Sequence, residues 1–345
     1  MGPVRCEGIL KIMTTPENKK PLNNLFVLIG IAALFAVVPL VTQEAYFLHI
    51  CILALLFGAL ASSWNLINGY AGIFTFGHQA FFGLGAYGSA LMSMKLGLSP
   101  WVTMWIAGVM SAALGCLISL PVLRIRSIPH IAIVTLAFAE IVRIVCSNLT
   151  EFTRGELGLW GIPPFTSFSL PFIGPVVFDA AHKVAYFYVV VLLWLLIIGA
   201  TYWILRNRFG FGLRAIRDSQ IAAESLGLNL TRYKTMVFAL SSMLAGVLGA
   251  FYAHYVLILT PSSALGIDIM IQIVAMTLIG GIGRLLGPTI GAFILTFGLE
   301  WLRGFGEYRM LIYGVLLVAI VMFLPKGLAS MRLGSLRRRK SAPSP

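Results

Sequence analysis

Long apolar runs joined by short polar connections are the feature of this sequence that most restricts its fold. A helix of about 20 apolar residues crosses the roughly 30 Å hydrocarbon core of a bilayer, where every backbone N–H and C=O needs an internal partner. We identify nine such runs, at residues 25–41, 46–66, 101–120, 127–147, 184–205, 235–258, 269–282, 288–302 and 310–324. The sequence therefore predicts an all-α, polytopic transmembrane helical bundle, in which the short runs after Ile269 could be half-helices.

The composition excludes a soluble globular protein. Of the 345 residues, 59% are apolar and only 11% are charged, whereas soluble domains contain about 25% charged residues. A net charge of +13 would suggest nucleic acid as a partner of a soluble chain. Here the basic residues lie mainly in loops and tails, where they set topology and contact anionic lipid. The four cysteines form no C-x-x-C pair, so neither a disulfide framework nor a metal site is indicated.

A tenth span is predicted in the glycine-rich stretch 76–95. Without this span, the basic segments 123–126 and 206–234 would lie on opposite sides of the membrane, although basic loops concentrate in the cytoplasm. With ten spans, nineteen Lys and Arg residues fall on the cytoplasmic side and five on the outer side. We therefore predict ten spans, give or take one, with both termini in the cytoplasm.

The polar segments set the predicted domain organisation. Residues 1–24 form a basic cytoplasmic tail that lacks the order of a cleaved signal peptide. Residues 25–325 form the membrane domain, and residues 326–345 form a second basic cytoplasmic tail. Within the membrane domain, residues 148–183 are rich in Pro, Gly and aromatic side chains and too broken to span, so we expect an outer loop segment. Residues 206–234 form a long basic loop, which the positive-inside rule places in the cytoplasm.

The cytoplasmic loop 206–234 contains a short amphipathic helix. Asp218 is predicted to cap its N-terminus and Gly227 to end it. One arc of the helix is apolar and the other polar, the apolar members being Ile221, Ala222, Ala223 and Leu226, and the polar ones Gln220, Glu224 and Ser225. A helix of two turns is not stable alone. Its apolar arc therefore needs a surface, which is either a groove on another subunit or the underside of this protein's own bundle.

The spacing Ala222-Ala223-x-x-x-Gly227 resembles the "EAA" coupling loop of ABC import permeases, which seats a short helix on a cytoplasmic ATPase. The wider segment GLRAIRDSQIAAESLGLNLTRYK resembles the LivM-type permeases of branched-chain amino acid importers. The general pattern has Glu six residues before the glycine, whereas this chain has Ile221, and an apolar residue there is characteristic of LivM-like sequences. The resemblance implies ATPase-coupling roles for Arg214, Asp218, Ile221, Ala222, Ala223, Glu224, Leu226 and Gly227.

A second informative stretch, residues 68–90, combines glycines with polar side chains inside an apolar region. Its wording GYAGIFTFGHQAFFGLGAY also resembles the LivM and LivH permeases, as do residues 280–292 and 324–329. Polar groups within a bundle face a cavity or a partner, and interrupted helices in two halves of a transporter mark its path. Residues 277–293 form a second glycine-rich stretch that is weakly similar to this one. We take as candidate translocation-path residues Asn68, Gly69, Gly72, Thr75, His78, Gly83 and Gly85, with tight helix packing as the alternative explanation of the glycines.

Other polar residues within the apolar runs carry less information. Glu140 with Arg143, and Glu300 with Arg303, can each pair on one helix face, and structural ion pairs are the simpler interpretation of both. The histidines show no H-E-x-x-H pattern, so each is expected to be a solitary hydrogen-bonding group. The chain also lacks a G-x-x-x-x-G-K-[ST] phosphate-binding loop. Energy for uphill transport would therefore come from a separate ATPase or an ion gradient.

Together, these features predict the permease subunit of an ABC importer in a bacterial inner membrane, with no enzymatic activity and no cofactor. The resemblance implies as partners a homologous LivH-like permease, two cytoplasmic ATPase subunits, an extracytoplasmic binding protein and membrane lipid, but no nucleic acid. It implies branched-chain or other hydrophobic amino acids as cargo, with urea or short amides as the alternative. A secondary transporter, in which Glu140 or His78 couples cargo to protons or sodium, is the alternative of another class.

The predicted topology can be tested by labelling introduced cysteines in a cysteine-free background. Ser219→Cys and Ser335→Cys should react with a membrane-impermeant thiol reagent only from the cytoplasmic side, and Thr166→Cys only from outside, because basic loops remain inside. Intact cells and inverted vesicles provide the two measurements. Reaction of the cysteine at position 219 in intact cells would contradict the predicted orientation.

Overall fold

A computed structural model describes residues 30, 35, 37–125, 127–170, 174–178, 183–308, 311, 312, 314 and 315. The chain divides into two units, residues 1–42 and 43–345. In the first unit the described residues are helical up to Val41. Outside the described residues lie both predicted tails, most of the predicted spans 25–41 and 310–324, and the motif at 324–329.

The described part of the second unit is mainly helical. In chain order its helices are α1 (Ala45–Asn65), α2 (His78–Leu96), α3 (Pro100–Val122), α4 (Ile128–Asn148), α5 (Thr150–Thr153), α6 (Val184–Arg206), α7 (Arg208–Asp218), α8 (Gln220–Ser225), α9 (Leu230–Val256), α10 (Pro261–Leu265), α11 (Ile267–Gly280) and α12 (Gly287–Trp301). A π-helical turn (Leu66–Tyr70) extends α1, and 3-10 turns occur at Gly155–Leu157 and Leu302–Tyr308. The short strands are β1 (Leu159–Trp160), β2 (Phe168–Leu170), β3 (Gly174–Val176) and β4 (Ile258–Leu259).

Six of the described helical segments are long and apolar enough to cross a membrane. They are Ala45–Tyr70, Pro100–Val122, Pro129–Asn148, Val184–Arg206, Leu230–Val256 and Pro261–Gly280. The predicted spans 76–95 and 288–302 are also helical, as α2 and α12, but α2 is less apolar and α12 has only 15 residues. The prediction of a helical membrane bundle is therefore confirmed, whereas the number of crossings and the side of each terminus remain predictions.

Helix α9 lies at the centre of the bundle and packs against α3, α2 and α1. Its contact with α2 is made through glycine, since a Cβ on Gly85 would lie 2.1 Å from the carbonyl oxygen of Gly246, and one on Gly249 would lie 1.8 Å from that of Phe82. Membrane helices gain no hydrophobic free energy by leaving lipid for each other, so small residues that permit close van der Waals contact hold them together. The sequence of α2 is thus adapted to a backbone-to-backbone contact.

The predicted outer loop segment contains no long helix among its described residues. Its strand β1 pairs antiparallel with β4, with Leu159 opposite Leu259, and β2 pairs with β3 as a hairpin. The carbonyl oxygen of Pro163 lies 2.8 Å from Nδ1 of His254 at the end of α9. The ring of Phe165 packs 4.5 Å from that of Trp101. These contacts attach the segment to the ends of α3 and α9.

Both predicted charge pairs are present as ion pairs within one turn of helix. Nε of Arg143 lies 2.8 Å from Oε2 of Glu140, and Nη1 of Arg303 lies 3.2 Å from Oε1 of Glu300. The predicted pairing of these residues is therefore confirmed, and their structural role remains a prediction.

Three histidines also act as the predicted hydrogen-bonding groups. His49 lies 2.6 Å from the hydroxyl of Tyr255, His78 lies 2.8 Å from that of Ser63, and His254 lies 2.8 Å from that of Ser89. Within the described residues, no three His, Cys, Asp or Glu side chains are grouped to hold a metal ion.

The helix contact at Gly85 generates a stability prediction. Gly85→Ala should lower the free energy of unfolding by about 1–3 kcal/mol, the usual cost of overpacking, because its Cβ would meet the backbone of α9. Gly88→Ala is the matched control on the same helix, since the nearest atom to its Cβ would be 3.9 Å away. Thermal denaturation of the detergent-purified chain measures the difference. Equal melting temperatures for the two variants would contradict the close contact.

Candidate functional site

The short helix α8 is capped by Ser219, not by Asp218. Ser219 has extended backbone angles, and its Oγ accepts a hydrogen bond from the N–H of Ala222 at 3.3 Å. Asp218 is instead the last residue of α7. The predicted cap was wrong because Asp218 belongs to α7, a helix that the sequence analysis did not predict, and serine caps a helix as well as aspartate does.

Helix α7 was itself missed by the sequence analysis. It buries Leu213 and Ile216 completely, and the ring of Phe209 stacks on that of Tyr233 at 5.1 Å. The apolar spacing of Phe209, Leu213 and Ile216, at i, i+4 and i+7, is the helical signal that could have found it. Helix α7 packs against α6 and α9, and these contacts fix the position of the chain where α8 begins.

Gly227 ends α8 with φ +82°, as the sequence predicted. The N–H of Gly227 donates to the carbonyl oxygen of Glu224 at 2.9 Å, and the N–H of Leu228 donates to that of Ala223 at 3.1 Å. This pair of hydrogen bonds is the Schellman arrangement, which satisfies carbonyl groups at a helix end. No atom lies within 4 Å of where a Cβ on Gly227 would be. Glycine is therefore favoured there by backbone conformation, not by space.

The predicted apolar arc of α8 is divided in the structure. Ala223 is 1% exposed and faces the chain's own helices, whereas Ile221 is 81% exposed and Leu226 is 73% exposed. Ala222 and Glu224 are also exposed. The prediction of one docking arc was therefore wrong in detail, because only Ala223 of the arc is buried against the chain's own helices. Two large apolar side chains, Ile221 in the helix and Leu226 at its C-cap, remain exposed.

A cavity of about 950 Å³ opens beside α8. Its walls are the α3–α4 connection at Leu123–Ile125, the segment after α8 from Gly227 to Thr231, and Gly72 with Ile73. Lys234 lies in the wall and donates from Nζ to Oε1 of Gln220 at 2.9 Å. The cavity therefore extends from α8 to Gly72 and Ile73, which follow the π-helical turn after α1.

Between α1 and α2 the helix is interrupted. The chain leaves the π-helical turn at Gly72, which has φ +70°, and becomes helical again at His78. We call residues 66–77 the helix break. Five of the seven candidate path residues lie in it or at its end, namely Asn68, Gly69, Gly72, Thr75 and His78.

The other two candidate path residues lie within helix α2. A Cβ on Gly83 would meet the side chain of Leu265, and one on Gly85 would meet the backbone of Gly246. Both glycines therefore permit close helix packing, which is the alternative that the sequence analysis left open.

The backbone of the helix break is satisfied by side chains. Nε1 of Trp64 donates to the carbonyl oxygen of Thr75 at 2.9 Å, and the N–H of Phe76 donates to Oγ1 of Thr135 at 2.9 Å. Such partners are required because irregular backbone lacks the hydrogen bonds of a helix, and a buried backbone group without a partner is costly. Thr135 lies on α4, so the break is attached to two different helices.

Several buried side-chain atoms at the helix break have no partner within the described protein. They are Nδ2 of Asn68, Nδ1 of His78, and both Nε2 and Oε1 of Gln79. Buried polar groups are nearly always hydrogen-bonded, so unpaired ones point to a water molecule, a ligand or another conformation. The break therefore offers donors and an acceptor in the interior of the bundle.

A second interruption contacts the first. The chain between α11 and α12 has φ +101° at Gly281 and φ +75° at Gly283. Oδ1 of Asn65 accepts from the N–H of Gly283 at 2.9 Å, and its Nδ2 donates to the carbonyl oxygen of Arg284 at 3.0 Å. Asn65 thus joins the two glycine-rich stretches whose similarity was only weak in the sequence. The sequence analysis did not single out Asn65, although an Asn at the end of an apolar run was a usable signal.

Comparison with known proteins agrees with this architecture. The family described as branched-chain amino acid transport system, permease component, matches residues 46–321. This range includes α8, the helix break and the second interruption. No solved structure matches the chain significantly.

Individual relatives are similar over most of the chain. It is 33% identical over 310 residues to the high-affinity branched-chain amino acid transport system permease protein LivM of Escherichia coli (strain K12), covering 85% of this chain and 72% of that protein. It is 34% identical over 299 residues to the LivM protein of Salmonella typhimurium (strain LT2), covering 82% and 69%. It is 24% identical over 269 residues to the probable branched-chain amino acid transport permease protein LivH of Methanocaldococcus jannaschii, covering 74% and 82%.

The backbone conformation at the end of α8 can be tested directly. Gly227→Val should destabilise the helix end by about 1 kcal/mol, the cost of placing a side chain at positive φ. Amide hydrogen exchange in residues 220–228 should then become roughly fivefold faster, while exchange in the membrane helices is unchanged. Gly199→Val is the control, because its site is open and its φ is not positive. Unchanged exchange in α8 would contradict the assignment.

Proposed function

The chain belongs to the family of branched-chain amino acid transport permease components, and from this we propose that it is the LivM-like permease of an ABC importer for branched-chain or other hydrophobic amino acids. It is a multi-pass protein of the inner membrane. Relatives named LivM and LivH are permease proteins of branched-chain amino acid transport. The chain itself performs no chemistry in this proposal, and separate subunits hydrolyse ATP.

The observation that carries the proposal is the exposure of Ile221 and Leu226 on α8. Both side chains stand in solvent on a polar loop outside the predicted spans, and exposed apolar groups of this kind mark interaction sites. Ala223 is buried on the chain's own helices, so the bundle holds the short helix in position. An amphipathic helix presented in this way fits a groove on a partner. We assign that groove to a cytoplasmic ATPase subunit.

Contacts between distant ends of helices support the ten-span topology with cytoplasmic termini. Nη1 of Arg303 lies 3.1 Å from the hydroxyl of Tyr46, and Lys95 lies 3.9 Å from the ring centroid of Phe152. The topology assigns all four of these residues to the outer side. Asn65 contacts the backbone at Arg284, and this position is assigned to the cytoplasmic side. In this arrangement residues 206–234 face the ATPases and residues 148–183 face outward.

The proposed importer contains further subunits. A homologous LivH-like permease completes the translocation path, two ATPases dock on the cytoplasmic helices, and an extracytoplasmic binding protein delivers cargo at the outer mouth. Closure of the ATPases on ATP moves α8, and the bundle changes from opening inward to opening outward. The unpaired polar atoms of Asn68, His78 and Gln79 support the proposal that the helix break lies beside the path. No observed contact favours urea or short amides as cargo.

A secondary transporter receives less support from the geometry. Glu140 is paired with Arg143 at 2.8 Å on the same helix. His78 is buried with its Nε2 beside Ser63. The ion pair gives this carboxylate a partner on its own helix, so it needs no coupling ion to balance its charge. An exposed apolar pair on a cytoplasmic helix also has no role in a transporter that works alone.

The docking proposal is tested with charge substitutions on α8. Ile221→Glu and Leu226→Glu should each release the ATPase subunits, because burying an unpaired charge costs several kcal/mol, equivalent to more than about a hundredfold in affinity. Ser225→Glu is the matched control, since Ser225 is exposed on the same helix and bonds only to the carbonyl oxygen of Ile221. Co-purification with ATPase subunits and uptake into vesicles are measured at equal amounts of each variant. Equal ATPase retention in all three variants would contradict docking through α8.

A further inference from the structure

Arg217, near the end of α7, reaches across the cytoplasmic side of the bundle to the helix break. Its Nη1 donates a hydrogen bond to the carbonyl oxygen of Gly69, which lies 148 residues earlier in the chain. Gly69 belongs to the π-helical turn that extends α1. Carbonyl groups at the end of a helix lack partners within the helix, and a cation there also interacts favourably with the helix dipole. Arg217 thus supplies a charged donor where α1 ends.

The same side chain packs on two further glycines of the interruptions. A Cβ on Gly72 would lie 3.2 Å from Cγ of Arg217, and one on Gly283 would lie 2.9 Å from its Nη1. Both glycines have positive φ, +70° and +75°. Asn65 completes the arrangement by accepting from the N–H of Gly283 at 2.9 Å. We call Asn65, Gly69, Gly72, Arg217 and Gly283 the junction.

The junction is mechanically continuous with α8. Only Ser219 separates Asp218 at the end of α7 from the first residue of α8. Helix α7 is anchored by the fully buried Leu213 and Ile216, and α8 packs against it. A displacement of α8 therefore acts on the end of α7, where Arg217 is located. Arg217 in turn contacts Gly69 and Gly72 in the helix break.

We propose that Arg217 is the positioning residue that transmits movement of α8 to the helix break. This inference rests on the proposed function, because it takes α8 to be the element that the ATPases move. Arg217 binds no cargo and no nucleotide in this role. Its charged hydrogen bond to Gly69 and its packing on Gly72 hold the end of α1 in one position relative to α7. When α7 shifts, the break shifts with it, and the polar atoms of the break change their access to the path.

The geometry of its contacts explains why arginine suits position 217. Its planar guanidinium group can donate to the Gly69 carbonyl while lying beside Gly283, whereas a lysine ammonium is a single point on a flexible stem. Hydrogen bonds from a charged donor are stronger than neutral ones. Lysine would retain the charge near the helix end and therefore part of the effect.

The test uses the whole importer reconstituted in vesicles, with the number of cargo molecules transported per ATP hydrolysed as the readout. Arg217→Ala should lower this ratio by about fivefold or more, the scale of a typical coupling free energy. ATPase subunits should still co-purify, because Arg217 is not one of the exposed apolar residues of α8. Arg217→Lys should restore part of the ratio. Arg206→Ala is the matched control, since among the described residues the side chain of Arg206 hydrogen-bonds only to Tyr202 on its own helix, at 3.0 Å.

Each outcome is decisive. A lowered ratio with normal assembly, partly restored by lysine and absent in the Arg206→Ala control, supports transmission through Arg217. A normal ratio in Arg217→Ala overturns it, and so does a proportional fall of ATPase activity and transport, or failure of that variant alone to assemble, since these indicate a structural role. If the unsubstituted chain neither retains ATPases nor transports, it is the proposed function that fails.

Discussion

The bilayer provides no hydrogen-bonding partners for backbone groups, and the architecture of this protein depends on that constraint. Helices satisfy it along the spans, but the helix break at residues 66–77 cannot do so by itself. Side chains outside the break supply the missing partners: Trp64 from α1, Thr135 from α4 and Arg217 from α7. The break is therefore held open at defined points. An interruption that the surrounding helices hold in place can also be moved by them.

Close packing determines how such movement can be transmitted. Gly85 and Gly246 bring the backbones of α2 and α9 into direct contact, and α9 also packs on α1 and α3. Tightly packed interiors transmit displacement because they have few voids and low compressibility. Helix α2 begins where the break ends, so a shift of the break reaches the centre of the bundle. The glycines thus keep α2 and α9 in direct contact at the place that such a shift would reach.

Helix α8 and its C-cap combine attachment and exposure in seven residues. Burial of Ala223 fixes the helix on its own bundle, whereas Ile221 and Leu226 remain exposed, as the proposed docking of an ATPase subunit requires. A helix this short gains most of its stability from such contacts. Attachment on one side gives the partner a prepared surface and reduces the entropy lost on binding. It also ensures that a force on α8 reaches α7 and the junction.

The sequence by itself determined the features that depend on neighbouring residues. Apolar length predicted the membrane helices, and Gly227 was recognised as a helix end, because both depend only on local composition and backbone conformation. Tertiary structure decided what depends on residues far along the chain. The continuation of α7 moved the cap to Ser219, and the surface under α8 divided an arc that periodicity shows as continuous. Asn65 and Arg217 bind partners 218 and 148 residues away, a distance over which no local pattern carries information.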